Sequence, residues 1–545
     1  MSSLLLRKLL SALVLFLVFC SSAISADDVP IWRYTVKPGD TLISIAERYF
    51  IRAEQWSKVQ QANKIADPHR ILPGTVLRIP ADMLRVTPGQ AQLDGVSGSV
   101  RWRVGEADWQ AATNGLRLAA GAALETGDDS SALLLLADGS RILVSPNSRL
   151  TLDTLSLYAG GLMADTRVRL QSGQTDIIAN PEQRSNQNLK IQTPSAQAVV
   201  RGTHFRVGAS DDVMREETLA GLVAVSAFGQ SVDVPKGQGT VARAGEPPML
   251  PVPLLAAADL SGLPARFEYL PLRFPLPQLA GVKEWQGQIA PDKAFERILL
   301  SKSGSGQALS FADLPNGDYV LRLRAIDVHG LQGFDALHPF TVFARPFPPG
   351  LNAPGDGATI RSARAQFGWG NVLEVARYHL QVSTTPDFAR PLYNETLERD
   401  AWQVPEDLPA GKLYWRAASI TGAGQQGPWS IAAAFTYKPG PGAVDLGRAA
   451  LQIESDKLVL KLAPPAEGLL YEAILSSGKE MEPVLAQARS DDGSLELARP
   501  DAGSYYLGVR LVDRSDNTPG PFAVQKIEIP PSRLWLLFLL LPLAL

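Results

Sequence analysis

The feature that most limits how this chain can fold is an internal repeat in its last third. The segments "DLPNGDYVLRLRAID" from Asp313, "DLPAGKLYWRAASIT" from Asp407 and "RPDAGSYYLGVRLVD" from Arg499 align on Gly317, Gly411 and Gly503, which are 94 and 92 residues apart. Upstream, "WQGQI", "YHLQV" and "YEAIL" begin at Trp285, Tyr378 and Tyr471, each 93 residues from the next. Around each glycine turn the side chains alternate apolar and polar, the period of a strand. Units of this length with that pattern are expected to be β-sandwiches, at residues 252–345, 346–438 and 446–530. Tyr414, Trp415 and Trp429 invite a reading as a carbohydrate platform, but strand aromatics at alternating positions favour the core.

Residues 115–247 have a different texture, short strands without any sustained helical period. "SALLLLADGSRILVSPNSRLTLDTL" runs into a hairpin turn at Asp138-Gly139, and "MADTRVRLQSGQTDII" repeats the pattern with a turn expected at Gly173. In "VVRGTHF", Gly202 is expected to serve a bend and Phe205 the core, with Arg201 fixed by an ion pair or strand-end hydrogen bonds. Arg201 and His204 are therefore read as structural rather than catalytic.

The front of the chain carries the helical signal. In "YTVKPGDTLISIAERYF", Tyr34, Thr35 and Val36 suit a strand, Pro38-Gly39 makes a turn, and Asp40 is placed to cap a helix. Leu42, Ile45, Ala46 and Tyr49 then fall at i, i+3, i+4 and i+7, one apolar stripe. A second helix around Glu54 to Asn63 offers Trp56 and Val59 to the same core. "ILPGTVLRIP" turns at Pro73-Gly74 into a closing strand, giving strand, helix, helix, strand within residues 32–81.

Residues 1–26 read as a secretory signal, with Arg7 and Lys8 ahead of the apolar run Leu9 to Phe19 and small residues from Ser21 to Ala26. The only cysteine, Cys20, ends that run, so the exported domains are expected to rely on cores rather than disulfides. At the far end, residues 533–545 form the apolar tail "RLWLLFLLLPLAL". As a helix its apolar part reaches only about 18 Å against roughly 30 Å of hydrocarbon, so a shallow membrane contact or a processed tail is expected.

Three resemblances follow from these motifs. "YTVKPGDTLISIAERY", "ANKI" and "ILPGTVLRIP" together resemble a LysM domain, from Tyr34 to Pro80. That family binds N-acetylglucosamine-containing glycans, in bacteria chiefly peptidoglycan. The resemblance implies a groove with Gly39, Asp40, Thr41 and Leu42 on one wall and Ile65, Arg70, Ile71 and Leu72 on the other. Leu42 or Ile71 is the expected shelf for the acetyl methyl. "ETGDDSSALLLLADGS", "IQTPSAQAVVRGTHFRV" and "TLAGLVAVS" resemble a FecR-like domain, whose best-known relatives sit in the periplasm and relay a signal from an outer-membrane receptor to a cytoplasmic sigma factor; the resemblance implies here a periplasmic β domain that binds protein. The repeats are similar to fibronectin type III domains, the middle one most clearly through "YHLQVSTTPDF" and "LYWRAASITGAGQQGPWS".

Other classes find little support. The net charge is −3 with no basic run, which argues against a nucleic-acid partner. His69, His204, His329, His338 and His379 are scattered, and no metal-ligand spacing or nucleophile elbow is present. The expectation is a multidomain, mainly β envelope protein without enzymatic activity, cofactor or metal. It binds peptidoglycan through the LysM-like module and senses or docks a protein through the FecR-like domain. The alternative is a periplasmic component of a FecR-type signalling system, in which glycan binding only positions the protein.

Overall fold

The computed structural model describes residues 29–180, 186–200, 203–362 and 364–531. The signal segment with Cys20, the Arg201-Gly202 pair and the apolar tail lie outside them. The chain forms two compact units that divide between Phe343 and Ala344.

In the first unit, two sheets close around one apolar core that includes Leu93, Leu134, Leu152, Leu170, Phe205 and Val225. Strands Ala91–Ser97 and Val100–Val104 belong to these sheets although they precede the expected start of the domain. They are drawn in because Ala91, Leu93 and Val100 point inward and are buried. The two sheets share strand Met163–Ile178. Its first part pairs with Arg149–Tyr158, and its last part with His204–Ser210. Gly173 marks the crossing. It was expected to turn a hairpin, but here it bends one continuous strand at φ +90°, and Ser148 occupies the space a Cβ would need. The Asp138-Gly139 hairpin is present, joining Ser131–Leu136 to Arg141–Val144.

The first sandwich repeat packs onto the outer face of one of these sheets. Its larger sheet runs in the order Arg266–Phe267, Ala336–Val342, Gly317–Ile326, Glu284–Ala290, Leu300–Gly304, facing the pair Leu272–Pro275 and Ala308–Phe311. Leu133 and Leu143 meet Ile298, whose amide donates to Ser131 Oγ at 2.8 Å. Beside this apolar contact lies a buried ionic network. Arg324 Nη2 lies 2.9 Å from Asp176 Oδ2, and its Nε 2.6 Å from Asp335 Oδ1. Arg206, fully buried, donates to the carbonyls of Gln332 and Gly333 at 3.0 and 2.8 Å and lies 3.6 Å from Glu217. Arg322 completes the set at 3.8 Å from Asp176 and 3.7 Å from Asp335. His204, for which catalysis was considered, places Nε2 2.7 Å from Asp176 Oδ1.

Three guanidiniums therefore face three carboxylates, the balance that makes buried charge tolerable. Burial alone raises Asp335, but Arg324 and Arg322 overcome it and bring the carboxyl from 3.8 to about 2. Against the same burial, His204 and the two arginines hold Asp176 well below its ordinary range. Burial moves Glu217 upward, only partly offset by Arg206.

In the second unit, the sandwich after Ala344 sets Leu351–Ala353, Gln366–Trp369 and Ala401–Gln403 against a larger sheet built on Val375–Ser383 and Gly411–Thr421. The last repeat sets Ala450–Ile453, Lys457–Lys461 and Ser494–Ala498 against a four-stranded sheet. Trp415 is fully buried, with Nε1 donating to the Pro354 carbonyl at 2.9 Å. It is core, not platform. Asp513 joins the two repeats, 2.5 Å from Lys438 Nζ and 3.7 Å from Arg361.

The repeat is legible down to one triad. Arg322 Nε and Nη2 both donate to Gln288 Oε1, at 3.1 and 2.6 Å, over the ring of Phe295. Arg416 does the same to Gln381, at 2.9 and 2.7 Å, over Phe388. Both phenylalanines have positive φ, as does Met481 at the corresponding place in the third repeat. There the arginine is replaced by Gly508, and Met481 Sδ fills its space.

Removing one member of the buried network leaves its partners as uncompensated charge. Arg324→Ala is expected to destabilise the first unit by about 3–5 kcal/mol. Hydrogen exchange should accelerate in Met163–Ile178 and Gly317–Ile326 together, while unfolding of the second unit stays unchanged. The network is also acid-sensitive. Carboxyls depressed in the folded state contribute stability above the ordinary value of 3.8, and that contribution is lost as pH falls toward about 2. Glu217, raised by burial, acts in the opposite sense, its contribution fading as pH rises. Exchange at this interface is expected to rise on acidification through that window, and an Asp335→Asn variant should show a smaller rise.

Candidate functional site

The site expected from the sequence lies in the small module at the front. Strand β1 (Ile31–Thr35) pairs antiparallel with strand β2 (Val76–Pro80), and helices α1 (Leu42–Tyr49) and α2 (Trp56–Ala62) stand between them in the chain. Leu42, Ile45, Ala46, Val59, Leu77 and Ile79 form the core, with Trp32, Tyr34 and Tyr49 stacked at one end. Asn63 pins α2 to β2, donating through Nδ2 to the carbonyls of Val59 and Arg78 and accepting from the Arg78 amide at 2.7 Å.

The first wall differs from expectation in its chemistry. Thr41, not Asp40, caps α1, and it exchanges hydrogen bonds with Ser44 in a capping box. Asp40 is turned the other way, accepting from Tyr34 Oη at 2.5 Å and from the Lys37 amide at 2.8 Å. Burial and the Asp40 carboxylate raise the Tyr34 phenol above its ordinary value. The Asp40 carboxylate therefore shapes the 37–40 turn instead of the helix end. Gly39 makes that turn at φ +88°, with nothing within 4 Å of where a Cβ would stand. It presents open backbone at the rim.

The second wall is brought alongside by the backbone. The Leu42 amide donates to the Pro68 carbonyl at 2.9 Å, and Val36 and Gly74–Thr75 exchange hydrogen bonds at 2.8 and 2.9 Å. Among the expected apolar contacts, Leu42 is fully buried and Ile71 is 9% exposed, so neither side chain can form a shelf. Leu72, at 78%, stands in solvent, with Ile65 half-buried and Arg70 exposed nearby in the chain. His69, not among the expected residues, is exposed on this loop, its amide tied to Asp67 Oδ1 at 2.8 Å. The signal for Leu72 was present in the sequence, since an apolar residue just before a Pro-Gly turn falls outside the stripe that builds the core. Among the described residues no group of His, Cys, Asp or Glu side chains converges to hold a metal ion.

The module is not a bead on a tether. Its core continues into Ala159 and Met163 of the neighbouring β domain, with Tyr158 packed against it. Arg85 closes the carboxyl end of α1 from the same side, donating to the carbonyls of Phe50 and Glu47 at 2.9 and 3.0 Å.

Comparison with known proteins agrees with this architecture. The LysM domain profile matches residues 34–80, and the FecR protein profile matches residues 122–224. An uncharacterised protein of Deinococcus radiodurans is 49% identical over 47 residues, covering 9% of this chain and 19% of that relative. The potassium binding protein Kbp of Escherichia coli O6:H1 is 45% identical over 51 residues, covering 9% of this chain and 34% of Kbp. The chain thus spans about a fifth and a third of the curated relatives it matches. Among solved structures, the FN1–FN3 domains of chicken CNTN1 align over 60% of this chain and 97% of that one, at 12% identity and a TM-score of 0.21. At that score the sandwich reading rests on strand order. The two matched families are binding and signalling domains rather than catalytic ones. The chain carries a LysM domain and a FecR domain in succession, followed by fibronectin type III-like β-sandwich repeats.

Proposed function

We propose that this is a non-enzymatic envelope protein that holds peptidoglycan glycan strands through its LysM domain and presents its FecR domain for protein docking. The observation that carries this reading is the LysM match at residues 34–80 together with the exposed rim it contains. Gly39, Asp40 and Thr41 supply main-chain and hydroxyl groups for the amide and hydroxyls of an amino sugar, and Leu72 with Ile65 supplies the apolar shelf for its acetyl methyl. Leu42 and Ile71 contribute no side chain, and the Leu42 amide is held by the Pro68 carbonyl, so these two shape the wall from beneath. Arg70 lies at the margin, where it meets the solvent-facing hydroxyls. One small shallow cleft gives limited contact area, so single-site affinity is modest and retention on the wall comes from rebinding to a repeating polymer. In this reading the protein works in the periplasm at the wall. Among the described residues no helix is long and apolar enough to cross a membrane.

A second reading, with FecR-type signalling primary and glycan binding only positional, is favoured by the FecR match over residues 122–224. The two differ in what fails when the cleft is damaged.

Deleting the LysM domain would uncover Tyr158, Ala159 and Met163 and confound the result, so point variants are needed. Leu72→Asp removes the shelf without touching the core. Pelleting of the full chain with purified sacculi is expected to drop about tenfold in this variant, equal to roughly 1.4 kcal/mol, with thermal unfolding unchanged. Equal pelleting by both proteins would overturn the assignment of this cleft.

A further inference from the structure

The β domain that carries the FecR match has two outer sheet faces. One is covered by the first sandwich repeat. The other carries Arg101, Arg103, Arg149 and Arg169 on neighbouring strands, in a chain whose net charge is −3. Three of these converge on one ring. The guanidinium carbons of Arg101, Arg103 and Arg149 lie 5.2, 4.8 and 5.8 Å from the centre of the Trp109 indole.

A single carboxylate answers the three. Glu125 accepts from Arg101 at 2.7 Å through one oxygen and from Arg149 at 2.6 Å through the other, so both its oxygens are engaged. Arg103 has no carboxylate partner among the described residues, and its Nε is buried without a hydrogen bond. Arg169 is matched one to one by Asp153, at 2.9 and 3.0 Å. Three guanidiniums around Trp109 thus share the one carboxylate that accepts from them. Like charges gathered on one ring repel, and an arriving anion relieves that repulsion. The indole keeps the guanidinium planes ordered before anything binds.

The same molecule shows how such an excess is satisfied. Across the interface on the opposite sheet, Arg206, Asp176 and Glu217 of this domain meet Arg322, Arg324 and Asp335 of the first sandwich repeat, so the docking of a second domain supplies the opposite charges. We infer that the Trp109 face is a second docking surface, and that its occupant is an acidic peptide segment of a partner protein presenting carboxylates to Arg101, Arg103 and Arg149. Guanidinium forks pair bidentately with carboxylates, and the half-buried Trp109 ring gives an apolar contact for the backbone between them. This surface is separate from the LysM cleft, and its test does not depend on glycan binding.

The test titrates the full chain with an acetylated hexaglutamate peptide at low salt, followed by tryptophan fluorescence and calorimetry. Saturable binding is expected, weakening with added salt. Arg103→Gln and Trp109→Ala should each weaken it about tenfold, whereas Trp109→Phe and the cleft variant Leu72→Asp should retain it. Thermal unfolding separates loss of the surface from loss of the fold, and Arg103→Gln, which removes a half-buried guanidinium with no carboxylate partner among the described residues, should keep the parent unfolding curve. No saturable binding, or binding equal in the parent and Arg103→Gln, would overturn the proposal. Inorganic phosphate competing at the same concentration as peptide carboxylate would also overturn it, because the surface would then be a general anion site. Muropeptides displacing hexaglutamate stoichiometrically would place the carboxylates on the wall rather than on a protein, which equally sinks the commitment to a protein partner.

Discussion

The contact on which the first unit depends is the neutral set of Arg206, Arg322 and Arg324 against Asp176, Glu217 and Asp335. An apolar interface of the same size tolerates sliding, because dispersion contacts have little directional preference. This one does not. Arg206 Nη2 donates to the Gln332 and Gly333 carbonyls, and Gln332 returns its amide to Glu217 at 3.0 Å, so the register of the two domains is written in hydrogen bonds. A displacement of an ångström or two would leave several charges buried and unpaired, at a cost of kilocalories each.

The LysM domain is joined by a different device. Ala159 and Met163 enter its core directly, and Arg85 closes its first helix from the neighbouring chain segment. Three domains that the sequence presents as beads therefore share cores and buried charge within one compact unit. The consequence for the proposed function is geometric. If the cleft is held by a glycan strand, the FecR domain is held in a fixed orientation with it, and its open sheet face is not free to tumble.

Much of this is legible in the amino-acid sequence. The α1 stripe, the Pro73-Gly74 turn and the Asp138-Gly139 hairpin appear where local rules place them, because each is decided by neighbours a few residues apart, and the 93-residue repeat returns as equivalent strand pairs. The misses have a common origin. Gly173 reads as a turn from its own surroundings and becomes a bend only because Ser148 packs where its side chain would be. Asp40 and Thr41 are both good caps, and the choice between them was made by Tyr34 Oη, which draws Asp40 away. Leu42 looked available for a sugar because it adjoins a turn, but its place on the stripe sends it inward. The ionic network was invisible, since Asp176 and Arg324 are 148 residues apart and each reads alone as an ordinary strand residue.

The repeat triad shows how far such reading can be carried once the structure is known. In the first repeat Arg322 sits on Gln288 and Phe295 and also reaches the two aspartates of the interface. Burial brings it down to about 9, still charged at neutral pH. In the second repeat the same Arg416, Gln381 and Phe388 recur, and Trp429 lies over the guanidinium at 4.4 Å. In the third, Gly508 and Met481 replace charge with a packed thioether. One structural slot is thus filled by an aromatic-stacked guanidinium in two repeats and by an apolar contact in the third. The backbone needs only that the slot be filled, as the shared positive φ of Phe295, Phe388 and Met481 indicates. The chemistry of the filling is then free to vary with what each repeat must face, and in the first repeat it is spent on holding the FecR domain in place.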